Sequence, residues 1–267
     1  MVSTSVVVVR ITTPRADRPL CATIRSWTFA RVRSEGAYPG KSSDIDQNQR
    51  EQYVLQKATT ETGASYLSLR WVGNVWTEVG LNSFGLAVGG TSGPVVRIGL
   101  TGYGIPQHTV LSPVLGRCRN VEEALELLSK TVMTGKGKNI VLADAEGKAA
   151  VLDKVRRSPG HHSPERERGS DLDTNHCVTD ALQGTRTSSN SIDRYANLER
   201  LLTAPRYADP VKDLKDIYAD HAEPGAICQH GQDGLFTLVT SIADPGGRVL
   251  LVNGDRGCAR AYRAFEL

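Results

Sequence analysis

Four short stretches carry side chains that could act together on an amide bond: Gly80-Leu81-Asn82-Ser83-Phe84-Gly85-Leu86, Thr174-Asn175-His176, Asn190-Ser191-Ile192-Asp193-Arg194-Tyr195, and Asp220-His221 followed by Ala226-Ile227-Cys228-Gln229. Acyl transfer from an amide passes through a tetrahedral centre with a negatively charged oxygen, and a buried carboxamide N–H can hold that oxygen. The attacking atom must come from elsewhere. The first 50 residues, the least regular part of the chain, are where it has to be sought.

Other chemistries fit less well. Gly102-Tyr103-Gly104 and Gly135-Lys136-Gly137-Lys138 lack the spacing and the Lys-Ser/Thr order of a phosphate-binding loop, so they read as turns. No Gly-x-Ser-x-Gly elbow stands between a strand and a helix. A conventional serine or cysteine hydrolase would take His176 as its base. The five cysteines (Cys21, Cys118, Cys177, Cys228, Cys258) are scattered and never spaced Cys-x-x-Cys, which indicates neither a disulfide framework nor a zinc cage. His161-His162, in a highly polar stretch without a third donor at metal spacing, reads as surface, and no metal is expected.

The totals set further bounds. A chain of 267 residues, 39% hydrophobic, can bury a sizeable core. A net charge of +3, with basic residues interleaved among acids, gives no nucleic-acid footprint. The apolar run Val6 to Val9 is far too short for a membrane span or for the core of a secretory signal, and the expected compartment is the cytoplasm.

Residues 1–20 form a poorly specified lead-in, and residues 21–267 read as one domain. Strands are expected over Cys21 to Val32 and Ala37 to Gly40, around a turn at Arg33-Ser34-Glu35-Gly36, with a loop over Lys41 to Arg50. A meander follows: Tyr53 to Lys57, Ala64 to Arg70, Val75 to Val79 and Gly85 to Gly90. Asn120 caps an amphipathic helix, Val121 to Met133. Asn139 to Ala143 and Lys148 to Val155 form a hairpin, and Ser158 to Asp173 is a solvated excursion. Two helices come next: Ser191 to Leu202, with Ile192, Tyr195, Leu198, Leu201 and Leu202 inward, and Pro210 to His221. Strands at Leu235 to Asp244, Arg248 to Asn253 and Ala259 to Phe265 close the chain. Strands at both ends with helices grouped between them predict an α+β layered fold.

The order of Gly80 to Leu86, Thr174-Asn175-His176 and the closing pair from Thr237-Leu238-Val239-Thr240 to Gly247-Arg248 resembles the acyl-CoA:6-aminopenicillanic acid acyltransferase family of N-terminal-nucleophile hydrolases, alongside bile-salt hydrolases and penicillin V acylases. The resemblance runs from about Ser26 to the C-terminus. It implies a four-layer αββα sandwich and a nucleophile freed by autoproteolysis, whose new α-amine serves as the base. An amine with an unperturbed pKa near 8 suits neutral operation. The implied reaction is hydrolysis or acyl transfer at the carbon–nitrogen bond of a small acylated amine or peptide-like substrate, without metal or redox cofactor, and with acyl-CoA as a donor if the acyl group is transferred.

By the same resemblance Asn82 and Asn175 hold the oxyanion, each donor contributing roughly 3 kcal/mol. Asp44, in Ser43-Asp44-Ile45-Asp46, orients the nucleophile's amine. His176 and Gln229 fall among the substrate-binding positions, Gln229 standing where relatives often carry an arginine. Ser26-Trp27-Thr28-Phe29-Ala30 occupies the place of a Cys-Thr-Ser-Phe-Ala type start, and Cys21 is the competing nucleophile. Five residues of strand are about 17 Å of travel and an inversion of facing, so both cannot serve. This atypical start leaves a second class open: a catalytically inactive ligand-binding homologue that keeps the sandwich.

Overall fold

The computed structural model describes residues 7–10, 25–33, 36–45, 53–61, 63–92, 104–134, 138–154, 170–173, 189–204, 209–231 and 234–267. For residues 7–10, 25–29, 31–33, 153–154 and 170–173 the description is of the backbone. Two antiparallel sheets are stacked between two helical layers, the α+β four-layer sandwich that the resemblance implies.

The first sheet has seven strands, in the spatial order β1 (Val7–Arg10), β4 (Tyr53–Thr59), β5 (Ser65–Trp71), β6 (Val79–Asn82), β7 (Ala87–Ser92), β10 (Lys138–Ala143) and β11 (Ala149–Lys154). The second has six: β12 (Ser170–Asp173), β2 (Arg25–Arg33), β3 (Gly36–Ile45), β13 (Phe236–Asp244), β14 (Val249–Asn253) and β15 (Arg263–Glu266). β8 (Ile105–Pro106) and β9 (Met133–Thr134) form a small parallel pair at the flanks of the first helical layer.

Strand alternation builds three cores. Leu67, Leu69, Val79 and Leu81 of the first sheet meet Ile45, Leu238, Leu250 and Val252 of the second in the space between the sheets. Leu86, Val88, Ile140 and Leu142, on the opposite face of the first sheet, pack under α1 (Leu111–Arg117) and α2 (Val121–Lys130). Ile242 of the second sheet packs under α3 (Ser189–Thr203) and α4 (Pro210–Tyr218) through Leu198, Leu201, Leu214 and Ile217.

Local chemistry fixes the helix ends. Asn120 Oδ1 accepts from the Glu123 N–H at 3.0 Å, as expected of an N-cap. Asp209 caps α4 through the Val211 and Lys212 N–H groups, with Pro210 in the first turn.

Several elements depart from the sequence expectation. Lys41 to Ile45, read as loop from its polarity, continues β3, because its polar side chains find buried partners. The strand expected at Val75 to Val79 starts only at Val79; Thr77 is instead hydrogen-bonded sideways to Ser68 and Ser112. Helix α1 was not anticipated, and the solvated excursion ends in β12, paired to β2. Within α3, Ile192 is 53% exposed, and Arg194 and Asn197 take inward positions beside Leu198 and Leu201.

Candidate active site

Strand β3 carries polar groups on both of its faces. Ile45 faces the space between the sheets, so alternation sends Lys41 and Ser43 the same way and turns Ser42 and Asp44 toward α3. Asp44 is fully buried. Its Oδ2 accepts from Arg194 Nη1 of α3 at 2.9 Å and from Ser42 Oγ at 3.1 Å; its Oδ1 accepts from Thr237 Oγ1 of β13 at 2.8 Å. A carboxylate offers about four lone-pair sites, so these three donors leave one for a further N–H. Burial pushes the Asp44 carboxyl above its ordinary range, against the pull of Arg194, Thr237, Ser42 and Lys41.

Gln229 is tied to the same carboxylate. Its backbone N–H donates to Thr237 Oγ1 at 2.9 Å, completing a relay from Gln229 through Thr237 to Asp44. The Gln229 side chain is buried, its Nε2 donates to the Ala226 carbonyl, and its Oε1 has no partner among the described residues. A buried acceptor without a donor is a place where a ligand group can be bound at little desolvation cost.

On the other face of β3, Lys41 Nζ lies 3.1 Å from Glu78 Oε2 and donates to Ser43 Oγ at 3.1 Å and to the Ser42 carbonyl at 2.9 Å. Lys138, also buried, joins this group. Burial pushes Glu78 up, but Lys41 and then Lys138 outweigh it and hold the carboxyl below its usual range. Burial pushes the Lys138 ammonium down to about 8, with Glu78 opposing. Lys138 lies along Gly90, where a Cβ would overlap its Cε, so a side chain there would displace the lysine's end.

The backbone of β2 runs beside this centre. Arg25 is the register partner of Asp44, and Ser26 of Ser43. The structure thus brings the Ser26 backbone to the Asp44 end of β3. Cys21, Asn175 and His176 lie outside the described residues.

Asn82 is placed elsewhere. Its Nδ2 donates to the Leu115 and Cys118 carbonyls at 3.0 and 2.7 Å, and its Oδ1 accepts from the Phe84 and Leu86 N–H groups at 3.1 and 2.9 Å. Two donors and two acceptor sites are thereby all engaged. The following turn rests on the far end of β13: Arg248 Nε donates to the Ser83 carbonyl at 3.0 Å, and a Cβ on Gly85 would fall 2.8 Å from the Pro245 carbonyl oxygen. Thr237, which holds Asp44, is at the other end of β13, about 24 Å of strand away. The structure does not bring Asn82 to Asp44.

Lys41 and Glu78 were not singled out by type and spacing, and Arg194 and Thr237 stood within the quoted stretches without a role of their own. Arg194 did leave a signal, an arginine in helical phase with Leu198 and Leu201, where a charge has to find a buried partner. Glu78 left none, since its partner Lys41 sits in another sheet.

The family model for acyl-coenzyme A:6-aminopenicillanic acid acyl-transferase matches residues 32–253. Among solved structures, the Caenorhabditis elegans ortholog of N-acylethanolamine-hydrolyzing acid amidase superposes with a TM-score of 0.58 at 14% identity, covering 83% of this chain and 93% of that one. A mutant conjugated bile acid hydrolase from Clostridium perfringens gives a TM-score of 0.51 at 12% identity, covering 91% of this chain and 92% of its own. A second variant of that hydrolase gives 0.51 at 13% identity, with coverages of 91% and 84%. No curated protein matches the sequence. Among the described residues no helix is long and apolar enough to cross a membrane.

Proposed function

Because the chain belongs to the acyl-coenzyme A:6-aminopenicillanic acid acyl-transferase family, we propose that it acts on the amide bond of a small acylated amine or peptide-like molecule through an N-terminal nucleophile, Ser26. The observation that carries this reading is the buried Asp44 carboxylate. Three donors fix it on β3, and the Arg25–Ser26 peptide bond runs opposite it on β2.

Hydrolysis of that peptide bond, by one water that leaves Arg25 as a carboxylate, turns the Ser26 nitrogen into an α-amine. The remaining acceptor site of Asp44 binds an N–H of this amine and holds its lone pair toward the hydroxyl. The amine takes the hydroxyl proton as Ser26 Oγ attacks the acyl carbon, then hands it to the leaving nitrogen. Asn175 is the side chain proposed to donate to the oxyanion, with Gln229 and His176 on the substrate. Water or a second amine then takes the acyl group; acyl-CoA serves as donor if the protein transfers rather than hydrolyses.

Intact mass and N-terminal sequencing of the purified chain, followed by assay on acyl amides, test the proposal. The expected result is a chain beginning at Ser26 that releases amine, and a Ser26→Ala variant that stays uncut and inert. A new terminus at Cys21 would transfer the role to that cysteine. A full-length chain that binds acyl amides without turning them over would replace the enzyme by a ligand-binding homologue.

A further inference from the structure

Away from Asp44, four side chains of the kind that ligate borderline metals converge from three segments. His221 follows α4, Cys228 and His230 lie on the segment leading into β13, and Cys258 sits in the 3-10 turn Gly257–Ala259 after β14. Their donor atoms all lie within 4.8 Å of one another. His230 Nε2 is 3.0 Å from His221 Nε2, 3.3 Å from Cys228 Sγ and 3.5 Å from Cys258 Sγ.

Hydrogen bonding is a poor account of this gathering. Two imidazole Nε2 atoms facing each other can share only one proton between them, and thiols are weak donors. A tetrahedral zinc with arms of about 2.0–2.1 Å to nitrogen and 2.3 Å to sulfur has edges of roughly 3.3–3.8 Å; the three separations from His230 Nε2, 3.0, 3.3 and 3.5 Å, are close to these, and all the donor atoms lie within 4.8 Å of one another. Two thiolates and two imidazoles suit zinc and disfavour calcium and magnesium, which take oxygen ligands.

We propose that His221, Cys228, His230 and Cys258 bind one zinc ion in a closed Cys2His2 site. Backbone contacts that need no metal already hold the ligands in place. The Cys228 N–H donates to the Asp220 carbonyl at 2.9 Å. Gly257 is pressed so closely against the Tyr218 carbonyl that no side chain fits there, which sets Cys258 against the end of α4. One contact must change on loading. Arg256 Nη1 lies 3.1 Å from His230 Nδ1, a nitrogen that carries a proton once Nε2 is on a metal, and the long, partly exposed arginine turns away.

With four protein ligands the ion has no open position, so its role is structural. It fastens the end of α4, the segment before β13 and the turn after β14 to one another. Gln229 lies between two of the ligands, and its N–H is the first link of the relay through Thr237 to Asp44. The site therefore also fixes the height at which Thr237 meets the carboxylate.

The full-length chain, purified under reducing conditions without chelator, is tested by elemental analysis, and the stripped chain by cobalt(II) titration. About one zinc per chain is expected, with the intense visible bands and sulfur-to-metal charge transfer of tetrahedral cobalt. Cys258→Ser should weaken the charge-transfer band, and His221→Ala should lower metal affinity by at least ~10-fold. A reduced, folded wild-type chain holding less than ~0.1 zinc and giving no cobalt spectrum overturns the proposal, as does a Cys228–Cys258 disulfide in the chain as isolated. The readouts are metal content and a spectrum. A chain that binds zinc but turns over no amide refutes the proposed function alone, and an active chain without zinc refutes this proposal alone.

Discussion

Arg194 on α3 and Asp44 on β3 form an ion pair at 2.9 Å, both side chains at most 1% exposed. The pair joins the outer helical layer to the strand beside which Ser26 runs, and the guanidinium opposes the rise that burial imposes on the carboxyl. Removing one member of a buried pair costs far more than removing both. Arg194→Met should therefore lower stability by about 3–5 kcal/mol in urea titration, and adding Asp44→Asn should recover part of that loss. Additive single and double variants would sink the idea that the two act as a unit.

Thr237 is the second support of Asp44, and its hydroxyl pulls the carboxyl down. Thr237→Val keeps the shape and removes that donor, so the Asp44 carboxyl rises further. The acidic limb of the rate profile should then move to higher pH, and stability should fall by about 1–3 kcal/mol as the Gln229 N–H loses its acceptor. An unmoved limb in pH–rate measurements would detach Asp44 from the rate.

Lys138 dictates a rise of stability with pH. Burial depresses its folded pKa to about 8 from an ordinary 10.5, so between these values the unfolded chain binds the extra proton. Stability gains at most about 1.4 kcal/mol per pH unit across that window; it is lost as pH falls from 10.5 toward 8, and the contribution is flat below 8. Lys138→Met should flatten the curve in denaturant titrations from pH 7.5 to 10.5; a curve unchanged by the substitution would refute the burial of this charge.

Asn82→Ala separates two roles. If the carboxamide holds its turn, the loss of four hydrogen bonds should cost about 2–4 kcal/mol in thermal or urea unfolding, with kcat changed less than ~3-fold at low temperature. A fall in kcat of ~100-fold with stability unchanged would instead make it an oxyanion donor.

Much of the layered fold is legible in the sequence. The α2 leucine stripe, the Pro210 helix start and the closing strands all rest on short-range periodicity and capping, which the chain displays locally. Of the candidate centre, Asp44 was named through resemblance, while Arg194 and Thr237 stood in quoted stretches with nothing local to pair them with it. Arg194 and Thr237 become neighbours of Asp44 only when α3 and β13 have packed, and Lys41 looked like loop because polar residues in a strand are uninformative without their counter-charges. The His221, Cys228, His230 and Cys258 cluster escaped for the same reason. Its ligands come from three segments, so no Cys-x-x-Cys spacing exists to be read.

The partners of Asp44 lie 150 and 193 residues downstream of it. Only Ser42, two residues before it, is close in sequence. The carboxylate therefore gains its full set of donors only after α3 and β13 have been made and packed, late in the order in which a ribosome delivers these elements.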